Sequence, residues 1–91
     1  PMHVFEDVYN AMIERKEHPK EGSFANYLLD QGLDAILKQV GEQAVETIIA
    51  AKNPKSEDIR YEISDMMYDL MVLMAEKGVT WEHITQELSK R

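Results

Sequence analysis

Residues 66–75 read Met-Met-Tyr-Asp-Leu-Met-Val-Leu-Met-Ala, a stretch that is apolar nearly all the way round a helix. A helix with apolar residues on every side is typical of a buried position. Its one acid, Asp69, shares a sector of ~60° with Glu62 and Asp65 at ~100° per residue. Because an unpaired buried carboxylate costs several kcal/mol or takes up a proton, these three acids need a neutralising partner.

The rest of the chain is also patterned as helices joined by short connections. We predict helices over residues 4–16, from the Ser23 cap to Gln31, over 33–52, over 56–77, and from the Thr80 cap onward. Ser56 is predicted as a further N-cap, and Gly32 and Gly78 as stops. With no alternating strand pattern, the sequence predicts an all-α bundle of about four to five helices.

The predicted domain spans residues 2–91, since Pro1 before Met2 looks like a remnant of tag removal. Area scaling suggests that a chain of this mass buries roughly 64% of its unfolded surface, which is a modest core. The helix that contains residues 66–75 has more apolar faces than a chain of this size easily covers. We therefore expect a homodimer or higher homo-oligomer, with the bundle completed as an interlocked dimer.

Composition and charge exclude several classes of function. The chain has no cysteine, so it has no disulfide, no thiolate metal site and no cysteine nucleophile. Its net charge of −7 argues against a nucleic-acid partner. It shows neither a secretory signal nor an apolar run approaching the ~20 residues of a membrane span, so we expect a soluble cytoplasmic protein without a membrane partner.

The helix from Leu33 carries acids on the side opposite its main apolar sector. That sector, ~120° wide, consists of Leu33, Ile36, Leu37, Val40, Ala44, Ile48 and Ala51. Glu42 and Glu46 share the other face, one turn apart. Lys38 and Arg60 are too few cations to neutralise the acids on the two long helices. Carboxylates without soft ligands suit Mg²⁺ or Mn²⁺, and such cations bind the oxygens of a di- or triphosphate.

Other interpretations of these residues stay open at this point. The acids could be the solvated faces of a non-catalytic helical dimerisation module. A di-iron bundle is disfavoured, since it would need E-x-x-H where this chain has Glu46 and Asp65. The methionines of residues 66–74 are expected to fill the core, and His83 to cap or lie at the surface. Lys52 and Asn53 form either a solvated turn or a phosphate contact.

Four segments of the chain carry a more specific pattern. Residues 32–46 read Gly-Leu-Asp-Ala-Ile-Leu-Lys-Gln-Val-Gly-Glu-Gln-Ala-Val-Glu, and residues 47–53 read Thr-Ile-Ile-Ala-Ala-Lys-Asn. Residues 62–68 read Glu-Ile-Ser-Asp-Met-Met-Tyr, and residues 72–79 read Val-Leu-Met-Ala-Glu-Lys-Gly-Val. Together they resemble the phosphoribosyl-ATP pyrophosphohydrolase family, whose patterns are close to G-x-D-K-I-L-K-K-V-G-E-E-x-x-E, I-A-A-K-N, E-x-x-D-L-x-Y and V-L-L-A-E-x-G-L. That family belongs to the all-α, MazG-like nucleoside-triphosphate pyrophosphatases.

The resemblance implies an enzyme of histidine biosynthesis. It would use Mg²⁺ to hydrolyse the α–β phosphoanhydride of phosphoribosyl-ATP, giving phosphoribosyl-AMP and pyrophosphate. The implied metal ligands, which are also the implied catalytic residues, are Glu42, Glu46, Glu62 and Asp65. Gln43 stands where the family pattern has a glutamate, and its carbonyl oxygen is a neutral donor. The weaker substrate-binding candidates are Lys38, Lys52 and Asn53. A house-cleaning nucleotide pyrophosphatase of the same fold is the alternative.

Overall fold

A computed structural model describes residues 3–91, and the predicted domain start at residue 2 lies outside the described residues. The described chain consists of five helices: α1 (His3–Glu17), α2 (Phe24–Gln31), α3 (Leu33–Ala51), α4 (Ser56–Lys77) and α5 (Trp81–Leu88). Over residues 3–91 there is no strand, so the prediction of an all-α fold is confirmed. None of these helices is both long and apolar enough to cross a lipid bilayer.

Short-range hydrogen bonds set most of the helix ends at the predicted residues. The Ser23 hydroxyl accepts the backbone N–H of Asn26 at 3.3 Å and caps α2. The Thr80 hydroxyl accepts the N–H of His83 at 3.2 Å, and the Nδ1 atom of His83 accepts the N–H of Thr80 at 3.0 Å. This reciprocal pair is a capping box, so His83 is a capping residue. Gly32, with φ of 99°, separates α2 from α3 in a backbone region that favours glycine.

The boundary between α3 and α4 differs from the prediction in two details. Helix α3 ends at Ala51, and Lys52 is its C-cap. Ser56 is the first residue of α4 rather than its N-cap; the N-cap position is Lys55, whose side chain makes no capping bond. The reason is the preceding turn, in which the Asn53 side-chain oxygen accepts the N–H of Lys55 at 3.0 Å. This bond closes the turn one residue before Ser56.

The two long helices α3 and α4 pack against each other, and α1 and α2 cover one side of the pair. The buried apolar core consists of Tyr9, Met12, Ala25, Leu28, Ile36, Met71, Val72, Met74 and Ala75. Of the four methionines of residues 66–74, Met71 and Met74 fill this core as predicted, whereas Met66 and Met67 are only half-buried. Two hydrogen bonds attach the last part of the chain to α1. Tyr9 Oη donates to the carbonyl of Val79 at 2.8 Å, and Trp81 Nε1 donates to that of Phe5 at 3.0 Å.

The buried face of α3 is not the main apolar sector of its sequence, which is a correction to the prediction. Within this chain the helix buries Ile36, Gln43 and Ala50, which recur every seven residues. The apolar side chains of Leu37 and Ile48 are exposed. Helix α3 is therefore rotated so that a glutamine, rather than the centre of its apolar sector, faces α4.

Two valines provide a matched test of this core. Val72 is 0% exposed and Val4 is 55% exposed. Val72→Ala removes two buried methyl equivalents and leaves a cavity, so it should lower the free energy of unfolding by at least about 1.6 kcal/mol. Val4→Ala should change it by less than about 0.5 kcal/mol. Urea unfolding followed by circular dichroism measures both, and equal losses would contradict the assignment of Val72 to the core.

Candidate metal centre between α3 and α4

The contact between α3 and α4 is built on hydrogen bonds from two glutamines of α3 to acids of α4. Gln43, only 6% exposed, donates from Nε2 to the backbone carbonyl of Glu62 at 3.1 Å and to its carboxylate Oε1 at 3.4 Å. One turn earlier, Gln39 Nε2 donates to Oδ2 of Asp69 at 3.1 Å. We call these four residues the polar seam. Because both acceptors of Gln43 belong to Glu62, its amide NH₂ group must face α4.

A cavity of about 320 Å³ opens on one side of the polar seam. We call it the Glu46 cavity. Its lining brings together acid and amide side chains from the end of α3 and the start of α4, with three apolar or aromatic residues: Glu46, Ile49, Ala50, Asn53, Asp58, Tyr61 and Glu62. Asn53 uses its side-chain oxygen to accept the N–H of Lys55, so its NH₂ group is the part left for a ligand.

A second cavity, of about 230 Å³, lies further along the same two helices. It is lined by Phe24, Gln39, Gln43, Asp65, Tyr68 and Asp69, and we call it the Asp69 cavity. Asp69 is 4% exposed, and burial raises the pKa of its carboxyl group. The hydrogen bond from Gln39 lowers that pKa and the nearby Asp65 charge raises it, so the net direction is upward. This acid therefore holds a proton more readily than a free aspartate does.

The structure brings together five of the eight predicted site residues. Gln43, Glu46, Asn53, Glu62 and Asp65 line the two cavities. The cavities also contain Gln39 and Asp58, which sequence reasoning did not assign to the site, and Asp69, which it grouped with Glu62 and Asp65 without assigning it as a ligand. Helix periodicity could have identified these three residues. Each lies four residues from a predicted ligand (Gln43, Glu62 and Asp65 respectively) and therefore shares a helix face with it.

The other three predicted residues lie outside both cavities. Glu42 is exposed on α3, and its carboxylate lies 3.9 Å from the ammonium of Lys38, which is also exposed. One residue corresponds to ~100° around a helix, which explains why Glu42 points away from α4 when Gln43 points toward it. Lys52 is exposed at the C-terminal end of α3.

The chemistry of the two cavities fits a hard divalent cation. Neither cavity is lined by lysine, arginine or histidine. Among residues 3–91, Glu46, Glu62 and Asp65 form no ion pair, so their negative charges lack a cationic partner. The donors are carboxylate and amide oxygens, which suit Mg²⁺ or Mn²⁺.

The predicted ligands are spread over the two cavities rather than gathered at one point. In the described part of the chain, one group of three acidic or histidine side chains brings its ligand atoms within 4.8 Å of one another, and it consists of Glu14, Glu17 and His18. That group is exposed at the end of α1. No three of the predicted carboxylate ligands come so close together. Repulsion between like charges favours such a wider spacing.

Comparison with known proteins places this chain in a family. Residues 5–91 match the family model described as phosphoribosyl-ATP pyrophosphohydrolase. The chain belongs to the phosphoribosyl-ATP pyrophosphohydrolase family. It is 53% identical over 88 residues to the phosphoribosyl-ATP pyrophosphatase of Listeria monocytogenes, covering 97% of this chain and 84% of that protein. With the enzyme of the same name from Lactiplantibacillus plantarum it shares 47% identity over 90 residues, covering 99% and 85% respectively.

A longer relative contains the same domain. The chain is 51% identical over 84 residues to the histidine biosynthesis bifunctional protein HisIE of Thermoanaerobacter pseudethanolicus. The match covers 92% of this chain and 39% of that relative. The pyrophosphohydrolase family thus includes this domain both in short proteins and within a bifunctional one.

Gln43→Glu tests the polar seam, at the position where the family pattern quoted above has a glutamate. The substitution removes the NH₂ group and sets a second carboxylate against the carbonyl and carboxylate of Glu62. A carboxylate buried beside another carboxylate is costly to ionise, so the melting temperature in EDTA should fall. Mg²⁺ should then stabilise the variant more than the wild type, because the added carboxylate faces the proposed ligands.

The matched control is Gln86→Glu, which adds the same charge at an exposed position of α5. It should change neither the melting temperature in EDTA nor the shift caused by Mg²⁺. Melting curves of the three proteins with EDTA and with saturating Mg²⁺ measure both effects. Equal Mg²⁺-induced shifts in wild type and Gln43→Glu would show that residue 43 lies outside the coordination sphere.

Proposed function

We propose that this protein hydrolyses phosphoribosyl-ATP to phosphoribosyl-AMP and pyrophosphate in histidine biosynthesis, in the cytoplasm. The observation that carries the proposal is the set of carboxylates along the α3–α4 contact that have no cationic partner, in a chain that matches the family model over residues 5–91. Its relatives from Listeria monocytogenes and Lactiplantibacillus plantarum are phosphoribosyl-ATP pyrophosphatases, which supports this substrate.

The proposed metal ligands are Glu46, Glu62 and Asp65, with the amide oxygen of Gln43 as a neutral donor. Bound Mg²⁺ would neutralise the phosphate oxygens and polarise the phosphorus atom that water attacks. Glu42 remains a ligand candidate through the resemblance, but it would first have to turn away from Lys38. Of the phosphate and ribose candidates, Asn53 is the one in a cavity, where its NH₂ group can donate a hydrogen bond.

The chain itself contributes a base for the attacking water. Asp69 is the proposed base, since a raised pKa brings a carboxylate closer to the proton affinity that proton transfer near neutral pH requires. Gln39 holds Oδ2 of this carboxylate from the facing helix and so orients it.

The proposal predicts that turnover needs both the metal and the carboxylates. Pyrophosphate release from phosphoribosyl-ATP should stop in excess EDTA and return when Mg²⁺ is added. Glu46→Gln and Asp65→Asn should each lower kcat by ~100-fold, which corresponds to about 2.7 kcal/mol of barrier, and leave helix content unchanged. Glu42→Gln in the same assay decides whether Glu42 belongs to the ligand set.

The control is Glu57→Gln, an exposed acid of α4 that pairs with Arg60 at 4.0 Å and lines neither site cavity. It should retain wild-type kcat. Activity in EDTA would overturn the metal mechanism. Hydrolysis of deoxynucleoside triphosphates in preference to phosphoribosyl-ATP would instead identify a house-cleaning pyrophosphatase.

We further propose that two copies of the chain associate through the apolar face that α3 leaves uncovered. Ile48 is 66% exposed although it belongs to the main apolar sector. About three turns earlier on the same helix, Leu37, which is also exposed, lines an open groove of about 680 Å³. The lining of this groove is apolar apart from Lys77 and includes Leu70 of α4 and Trp81 of α5. A monomer of this size gains stability by burying such a surface against a second copy.

Ile48→Glu tests this association, because the side chain is exposed in the monomer and its replacement leaves the core intact. The wild type should sediment as a dimer or larger at ~10 μM, and the variant should shift toward monomer with unchanged helicity. Asn10→Glu, an exposed change on α1 that adds the same charge, should not alter the oligomeric state. A wild type that sediments as a monomer would refute the proposal.

A further inference from the structure

A third cavity borders the site and has the opposite charge. It measures about 220 Å³, and its lining includes two cations, Arg15 of α1 and Lys20 of the following loop. We call it the Arg15 cavity. Phe24 and Tyr68 line both this cavity and the Asp69 cavity, so the two share a wall of aromatic side chains.

The two cations are not neutralised by neighbouring acids. In the described residues the ion pairs are Lys38–Glu42, Arg60–Glu57 and Lys90–Glu87, and neither Arg15 nor Lys20 takes part in one. Glu21 also lines the cavity, which leaves the three side chains with one net positive charge. This is unusual in a chain of net charge −7, where like cations would be expected to sit beside acids.

A single asparagine anchors the backbone at both cations. Asn26 of α2 donates from Nδ2 to the backbone carbonyl of Arg15 at 2.8 Å. Its Oδ1 atom accepts the backbone N–H of Lys20, also at 2.8 Å. The backbone at Arg15 and at Lys20 is therefore held against the first turn of α2. Such preorganisation lowers the entropy cost of binding an anion.

The proposed substrate has two anionic ends, and the Glu46 and Asp69 cavities suit only one of them. A triphosphate can be bridged to carboxylates by a metal ion. The 5′-phosphate of the second ribose, which is linked to N1 of the purine, would be repelled by those carboxylates. It needs a cationic subsite at some distance from them along the bound molecule.

We propose that Arg15 and Lys20 bind this 5′-phosphate, and that Phe24 and Tyr68 flank the purine between the two phosphate groups. The inference rests on the proposed function and identifies how the same site distinguishes its substrate. ATP lacks the second phosphoribosyl group, so it makes neither of the contacts with Arg15 and Lys20. The guanidinium of Arg15 can bind two phosphate oxygens at once, and Lys20 adds a point charge.

The test compares Arg15→Gln and Lys20→Gln with wild type, using phosphoribosyl-ATP as substrate and ATP as competing ligand, both with saturating Mg²⁺. Each variant should raise KM for phosphoribosyl-ATP by about 10- to 100-fold, the range for loss of one charge-assisted hydrogen bond. Its kcat should change by less than about 3-fold, because neither residue reaches the reacting phosphates. The inhibition constant of ATP should stay at its wild-type value.

Two matched controls lie on the exposed surface away from the site cavities: Arg60→Gln on α4 and Lys90→Gln near the C-terminal end. Both remove one positive charge and should leave KM unchanged. Arg15→Lys should recover part of the lost affinity, since it restores the charge without the two-pronged geometry. Lys20 belongs to an exposed loop, so Lys20→Gln decides the question even if Arg15→Gln fails to fold.

The possible outcomes separate this inference from the proposed function. A wild type that releases no pyrophosphate from phosphoribosyl-ATP would overturn the proposed function, and the inference with it. An active wild type whose Arg15 and Lys20 variants keep the KM of the controls would overturn the inference alone. A parallel loss of ATP affinity would also overturn it, because the cations would then serve the triphosphate.

Discussion

The rest of the structure depends on the hydrogen bonds that two glutamines of α3 donate to α4. Gln43 and Asp69 are buried polar groups, so each needs a partner on the facing helix. Gln43 donates to the Glu62 carbonyl at 3.1 Å, and Gln39 donates to the Asp69 carboxylate at 3.1 Å. A buried polar group without a partner costs more than one hydrophobic contact contributes. The polar seam therefore sets the rotation of α3 about its own axis, and this rotation decides which apolar side chains of α3 are buried and which are exposed.

Three properties of the molecule follow from this rotation. Turning Gln43 toward α4 brings Glu46 to the edge of the contact, where it can share a ligand with Glu62. The same rotation moves Glu42 to the outside, where it pairs with Lys38. It also leaves Ile48 exposed, so the proposed dimer surface and the arrangement of the site have one common cause. An amide at position 43 maintains the helix contact through its NH₂ group, whereas a carboxylate there would repel Glu62 in the absence of a cation.

The charges around the site are separated in space, and this separation matches a ligand with two kinds of anionic group. The Glu46 and Asp69 cavities contain acids without a lysine, arginine or histidine in their lining, so the proposed binding of phosphate there requires a metal ion. The Arg15 cavity contains two cations and needs no metal to hold a phosphate. The aromatic side chains of Phe24 and Tyr68 lie between them. Positive and negative side chains are thus kept from neutralising one another by the packing of α2 against both long helices.

The sequence by itself determined the helices, most of their caps and the family, because these depend on short-range features. A serine or threonine cap, a glycine stop and a repeat of apolar residues act within a few neighbouring positions, and a family motif is read directly from the residues. Periodicity also identified the acids of both long helices, but it could not tell Glu42 from Gln43 as the residue facing α4. Only the tertiary structure decided that, along with the exposure of the apolar sector and the meeting of Arg15 with Lys20 beside Tyr68. These features depend on how helices distant in sequence pack, where a few buried hydrogen bonds outweigh the apolar pattern of any single helix.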